Sequence, residues 1–247
     1  MQENQPFPEV TLTEFRGVQF LHLGTDWIQG AMRLNNPFEI VLDYVQQMMV
    51  WMLFKENPKH IVQLGLGSAA LTKFCYQHFP DAHVTAIELN PNVIEICKNA
   101  FHLPENDQRL QVIRTDAFDY IESRKNQNEI DIIQVDLYDE NAAAPVFDSP
   151  EFYKSCADAL TPDGMMAVNI FGDESNRTKS IEAIQESFDS VVWLPEVDGG
   201  NIVILAFKKS PEVDFEDLFL RAKRIKKETK LKAVQWVNHL HSWMKNN

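Results

Sequence analysis

Between His60 and Asp139 short apolar runs alternate with helical stretches, and each run stops at a glycine or an acid. His60 to Leu64 lead into Gly65, Leu66, Gly67 and Ser68. A strand that ends in glycines and opens a helix lets the backbone approach a ligand and turns free amides towards it. Val84 to Ile87 stop at Glu88, roughly 20 residues past the glycines, the spacing at which a carboxylate meets a ribose. Leu110 to Arg114 lead to Asp116, and Ile132 to Val135 lead to Asp136, with Asp139 shortly after. In an open parallel sheet all four ends lie on the carboxyl edge, where ligands sit.

The same alternation sets the fold class. Strands over 60–65, 83–88, 110–114, 130–135 and 164–170 are separated by helices over 69–79, 91–101, 117–125 and 150–160, with a further helix over 177–188. That order specifies right-handed crossovers and a parallel sheet covered on both faces. Val191 to Leu194 and Ile202 to Phe207, joined through Asp198, Gly199, Gly200 and Asn201, add an antiparallel edge hairpin. The expectation is an α/β, Rossmann-like, doubly wound and mostly parallel seven-stranded sheet. Residues 1–36 form a small N-terminal β-hairpin region, in which Val18 to Leu23 and Trp27 to Met32 are the strands. Residues 37–210 form the nucleoside-binding domain, and 211–247 a basic helical extension. Asn36, Pro37 and Glu39 read as the start of a helix that runs to about Asn57. Its stripe of Val45, Met48, Met49, Met52 and Leu53 reads as core.

Composition narrows the function. A chain of 247 residues that is 45% hydrophobic can bury a full core. Its formal net charge of -13 disfavours nonspecific nucleic-acid binding and suits a small cationic substrate. The basic run from Arg221 to Lys232 reads as a solvated helix face. Cys75, Cys97 and Cys156 have no close-spaced partners and read as core thiols, and the histidines form no ligand-spaced cluster, so no metal is expected. No signal pattern or long apolar run is present, so the expected location is the cytoplasm, without membrane attachment.

Two glycines after a strand are weak by themselves, because any tight strand-to-helix turn selects glycine. Glu88 at its spacing, then Asp116 followed by Ala117, strengthen the reading. The arrangement resembles the class I AdoMet-dependent transferase fold. A nicotinamide site remains open but lacks its third glycine, since Ala70 stands in that neighbourhood. Asp136 ends a very apolar strand, an odd place for a purely structural acid. Asp136 and Asp139 at the mouth of a nucleoside site could hold a cationic amine and accept its proton.

Val135, Asp136, Leu137, Tyr138, Asp139 and Glu140 resemble the signature loop of spermidine synthases, and Phe147 to Tyr153 the segment after it. Leu160 to Gly164 resemble the turn before the fifth strand, and Trp27, Ile28 and Gln29 a hairpin end that carries a ligand-touching glutamine. The resemblance implies transfer of an aminopropyl group from decarboxylated AdoMet to a polyamine amine. It implies Asp136 as the base, with Asp139, Tyr44 and Tyr138 at the acceptor. Glu88 would hold the ribose, Asp116 and Ala117 the adenine, and Gln29 with Gly65, Leu66, Gly67 and Ser68 the rest of the donor. It also implies a homodimer paired through the N-terminal apolar faces.

Three positions depart from that family. Ser68 stands where the glycine loop has an aspartate that binds the donor's amine, Val197 where it has a tyrosine, and Glu140 where it has a proline. A carboxylate at position 68 would repel ordinary AdoMet, and Ser68 removes that discrimination. Two enzyme readings therefore stand: a divergent aminopropyltransferase, and an AdoMet-dependent methyltransferase on the same scaffold, which would also show the glycine turn and an amide near Asn169. A nonenzymatic nucleoside-binding protein is third.

Overall fold

A computed structural model describes residues 7–138, 148–172 and 174–246. Two sheets carry the chain. The N-terminal sheet is antiparallel and holds β1 (Val10–Phe15), β2 (Val18–Leu23) and β3 (Gly30–Arg33) in that order. The expected hairpin thus gains a third strand, and Trp27 to Gln29 lie in the loop that leads into β3.

The large sheet holds β4 (His60–Leu64), β5 (His83–Glu88), β6 (Leu110–Arg114), β7 (Ile130–Val135), β8 (Leu160–Phe171), β9 (Ser190–Trp193) and β10 (Asn201–Phe207). Their order is β6-β5-β4-β7-β8-β10-β9, with parallel pairing from β6 to β8 and antiparallel pairing of β10 with both neighbours. The seven-stranded, mostly parallel sheet and its edge hairpin are as expected. The order reverses at β4, and the crevice beside that reversal is the ligand position of open α/β sheets.

Helices α2 (Ala70–His78), α3 (Pro91–Ala100), α4 (Ala117–Ile121), α5 (Pro150–Ala159) and α6 (Glu174–Gln185) make the crossovers. Strands β4 and β7 are almost wholly buried, as a sheet covered on both faces requires. The last two helices, α7 (Phe215–Thr229) and α8 (Ala233–Asn246), belong to the main core. Leu218, Ala222, Ile225, Trp236, Val237 and Leu240 are buried in one cluster with Trp51, Leu53 and Ile132. Arg221 is half-buried and the lysines around it are exposed, the solvated face that the sequence indicates. All three thiols are buried and unpaired.

The long helix expected from Asn36 is the largest departure. The structure has only α1 (Asp43–Gln47) and a 3-10 turn over Val50–Leu53. Glu39, the expected capping-box acid, instead takes the Arg33 guanidinium at 3.0 Å. The cap of α1 comes from far away in sequence: the Tyr44 amide donates to Asp198 Oδ2 at 2.8 Å. The helix stops because buried Gln134 donates its Nε2 to Met48 O at 3.0 Å, taking the carbonyl that the Met52 amide would have used. Met52 N turns to Met49 O at 3.0 Å, and the coil tightens to the 3-10 form. Gln134 also accepts from Gln63, so this amide pair ties the segment that carries Tyr44 to the centre of the sheet.

Candidate active site

A cavity of about 650 Å³ lies between the N-terminal sheet and the carboxyl edge of the large sheet. That volume is in the range of small-molecule sites. Gly65 and Gly67 form its floor. Gly65 has φ +96°, and a Cβ there would stand 2.2 Å from the Asp136 carbonyl oxygen, so the turn closes only with glycine. Beside it the N-terminal sheet sits directly on the glycine turn, since a Cβ on Gly30 would meet Ser68 Cβ and Oγ at 2.5 Å.

Glu88 and Asp116 line one end. Glu88 accepts the Leu66 amide at 3.1 Å and the Asn90 amide at 2.8 Å, which fixes both carboxylate oxygens while leaving lone pairs for a diol. Burial raises its pKa against the pull of those amides. Asp116 caps α4 through Oδ1, accepting from Phe118 at 2.7 Å and Asp119 at 3.2 Å, and Ala117 lies beside it on the cavity wall.

Asp136 occupies the other end. Asn169 Nδ2 donates to its Oδ1 at 3.0 Å and the Tyr44 hydroxyl to its Oδ2 at 3.3 Å. Desolvation pushes its carboxyl up to about 6, while both donors pull the other way. Burial, followed by the Asp136 charge, raises the Tyr44 phenol well above its ordinary value, so Tyr44 stays a donor. The Tyr138 hydroxyl donates to Asn169 O at 2.8 Å, and burial raises that phenol too. Trp27 and Tyr138 meet the Phe171 ring edge-on, at 5.9 and 6.5 Å between centroids, and wall the cavity with aromatic surface.

The structure brings Gln29, Tyr44, Gly65, Gly67, Glu88, Asp116, Ala117, Asp136 and Tyr138 onto one cavity. Leu66 and Ser68 depart from the expectation. Leu66 buries its side chain and serves through its amide, and Ser68 is 3% exposed with Oγ donating to Ala31 O at 3.4 Å, outside the lining. The side chain turns away because the N-terminal sheet is packed onto it. Asp139 and Glu140 lie outside the described residues.

Asp26, Asn169, Phe171 and Asp198 also line the cavity, without a role in the sequence expectation for the aminopropyl reading. Asn169 had a signal. It is an isolated amide at the end of a buried run, and β8 pairs Val168 with Val135, which puts Asn169 beside Asp136. The charged side chains of the lining are Asp26, Glu88, Asp116, Asp136 and Asp198, and among the described residues no lysine, arginine or histidine joins them. An anionic, partly apolar cavity fits an organic cation.

Among known proteins, the model of the spermine/spermidine synthase domain matches residues 43–217. The polyamine aminopropyltransferase of Neisseria meningitidis serogroup A is 34% identical over 222 residues, which covers 89% of this chain and 84% of that one. In fold, a probable spermidine synthase from Corynebacterium glutamicum superposes with a TM-score of 0.74 at 17% identity, covering 86% of this chain and 83% of that one. Human methyltransferase-like protein 13 in complex with SAH superposes with a TM-score of 0.69 at 20% identity, covering 77% and 93%. Both structural likenesses show the shared fold. The domain match spans most of the chain and includes the glycine turn, the ribose-spaced acid and the Asp136 strand end, and with the N. meningitidis relative it places the chain in the spermine/spermidine synthase family.

Proposed function

We propose that the protein transfers the aminopropyl group of decarboxylated AdoMet to a primary amine of a polyamine. The observation that carries this reading is the lining: its charged side chains are all carboxylates among the described residues, around a base with its carboxyl at about 6. Decarboxylated AdoMet presents only cations to such a wall. The carboxylate of AdoMet would have to be desolvated among acids without a basic partner, which costs several kcal/mol.

In the reaction, a neutral amine nitrogen attacks the propyl carbon next to the sulfonium. The C–N bond forms, the C–S bond breaks, and its electron pair neutralises sulfur to the thioether of methylthioadenosine. The new ammonium passes a proton to Asp136, whose raised pKa suits a general base near neutral pH. Glu88 holds the ribose, Asp116 and Ala117 flank the base, Gly65 and Gly67 give the backbone room beside the donor, and Gln29 closes the site from the N-terminal side. Tyr44 and Asn169 keep Asp136 aimed. Displacement at a carbon already activated by sulfonium requires no Lewis acid. Discrimination between donors moves from the family's loop aspartate, replaced here by buried Ser68, to the remaining acids of the wall.

The same reading takes 37–210 as the catalytic unit, 1–36 as its cover and 211–247 as a support of one sheet face, in a cytoplasmic homodimer. Leu12, Phe15 and Leu34 are exposed apolar residues of the N-terminal region that suit such pairing. Among the described residues no helix is long and apolar enough to cross a membrane. The test is mass-spectrometric detection of the aminopropylated amine from decarboxylated AdoMet and putrescine. The product should form with the unaltered protein and fall at least about a hundredfold in Asp136→Asn. Undiminished transfer in Asp136→Asn would remove Asp136 as the base.

A further inference from the structure

The turn between β9 and β10 carries the Asp198 carboxylate into the cavity. Val197 N donates to Asn201 O at 2.9 Å and Asn201 N returns to Val197 O at 3.0 Å, closing a tight loop with Asp198 at φ 50° and Gly199 at φ 70°. Arg177 clamps it, with Nη2 donating to Gly200 O at 3.0 Å and Nη1 to Glu196 Oε2 at 2.8 Å. Gly200 is held against the Phe171 ring, where a Cβ would approach Cε2 to 2.6 Å. Asp198 is therefore set on a fixed backbone at the exposed rim of the cavity.

Tyr44 joins this rim acid to the base. Its amide donates to Asp198 Oδ2 at 2.8 Å and its hydroxyl to Asp136 Oδ2 at 3.3 Å, so the two carboxylates stand about one tyrosine residue apart along the same wall. Among the described residues Asp198 has no ion-pair partner, and the buried Oδ1 of Asn169 has no hydrogen-bond partner. The amide's orientation follows from its neighbour: Nδ2 faces the acceptor Asp136, which leaves Oδ1 buried away from the cavity.

We infer that Asp198 is the specificity-determining residue for the acceptor, binding the distal ammonium of a short α,ω-diamine while Asp136 receives its reacting amine. The inference rests on the aminopropyl-transfer reading. It explains how the site works without the family's tyrosine, since Val197 stands in that place and the next residue supplies the charge. A neutral nucleophile at Asp136 and a cation at Asp198 are the two ends of one half-protonated diamine. A monoamine meets only the first.

The experiment compares putrescine with butylamine as acceptors, at a fixed saturating concentration of decarboxylated AdoMet, in the full-length protein and in Asp198→Asn. The asparagine keeps an oxygen for the Tyr44 amide, so the cap of α1 survives. The unaltered protein should favour putrescine. In Asp198→Asn the KM for putrescine should rise about tenfold with kcat little changed, and butylamine should be unaffected, so that the preference collapses. Asp198→Glu, which restores the charge, should recover at least part of it. An unchanged putrescine-to-butylamine ratio in Asp198→Asn overturns the inference and leaves aminopropyl transfer standing. Equal losses for both amines make Asp198 merely structural and also overturn it. Absence of transfer to either amine by the unaltered protein overturns both readings.

Discussion

Replacing Asn169 by leucine tests how the acid–base group is tuned. The Asn169 amide donates to Asp136 Oδ1 at 3.0 Å and stabilises the ionised carboxylate in a desolvated place. A hydrogen bond to a charged group contributes about 1.5–3 kcal/mol, and about 1.36 kcal/mol corresponds to one pH unit. Leucine keeps the branching at Cγ, with a larger side chain, and removes the donor, so the carboxyl, already at about 6, should become harder to ionise. The acid limb of the kcat/KM profile for aminopropyl transfer, which reports the free enzyme, should move up by about one to two pH units. At pH 6.5 the variant should lose roughly three- to twentyfold relative to its own rate at pH 9, beyond the loss of the unaltered protein. The same amine in both assays cancels the titration of the acceptor. Tyr44→Phe should move the limb in the same direction but less, because its bond is longer at 3.3 Å. A uniform drop in rate with the limb unmoved would refute the idea that Asp136 is the titrating base and Asn169 its tuning partner.

Further outcomes follow from buried charge and backbone geometry. Asp136→Asn should be more stable than the unaltered protein near neutral pH. The folded carboxyl lies at about 6 against 3.8, so its charge costs about 3 kcal/mol above that window, and the advantage in urea unfolding should fade as pH falls from 6 to 3.8. Lys73 is 1% exposed with Nζ donating to Phe101 O at 2.7 Å, and burial lowers its pKa to about 8 from 10.5. Unfolded chain therefore binds more protons between pH 8 and 10.5, and the unaltered protein should gain stability as pH rises through that range. Lys73→Met should be about 2 kcal/mol more stable at pH 7, after about 1 kcal/mol for the orphaned carbonyl, with the gain vanishing by pH 10.5. Gly65→Ala should cost at least about 2 kcal/mol in the same assay and abolish donor binding, because its Cβ meets the Asp136 carbonyl at 2.2 Å with φ +96°.

The sheet was legible because strand periodicity and strand ends are local signals: the β4 to β8 runs and their glycine and acid ends stand in sequence much as they do in space. The segment after Asn36 was not. Its helix is capped by Asp198 and ended by Gln134, partners 154 and 86 residues away along the chain, and no local pattern encodes either. Ser68 misled for a similar reason, since its neighbours are on the N-terminal sheet rather than in the glycine turn. Asn169 was readable only once β8 was registered against β7, which sets its amide beside Asp136. Asp198 was hidden in a turn whose glycines signalled a hairpin, and its chemistry depends on Tyr44 arriving beneath it.

Selection of a donor without a carboxylate falls to the acidic wall of the cavity. Calorimetric titration of the purified protein with decarboxylated AdoMet and with AdoMet, side by side in one buffer at pH 7.5, measures that selection. Decarboxylated AdoMet should bind at least about tenfold more tightly, the consequence of a desolvated carboxylate facing acids without a basic partner. Tighter binding of AdoMet would contradict the account and turn the site towards methyl transfer.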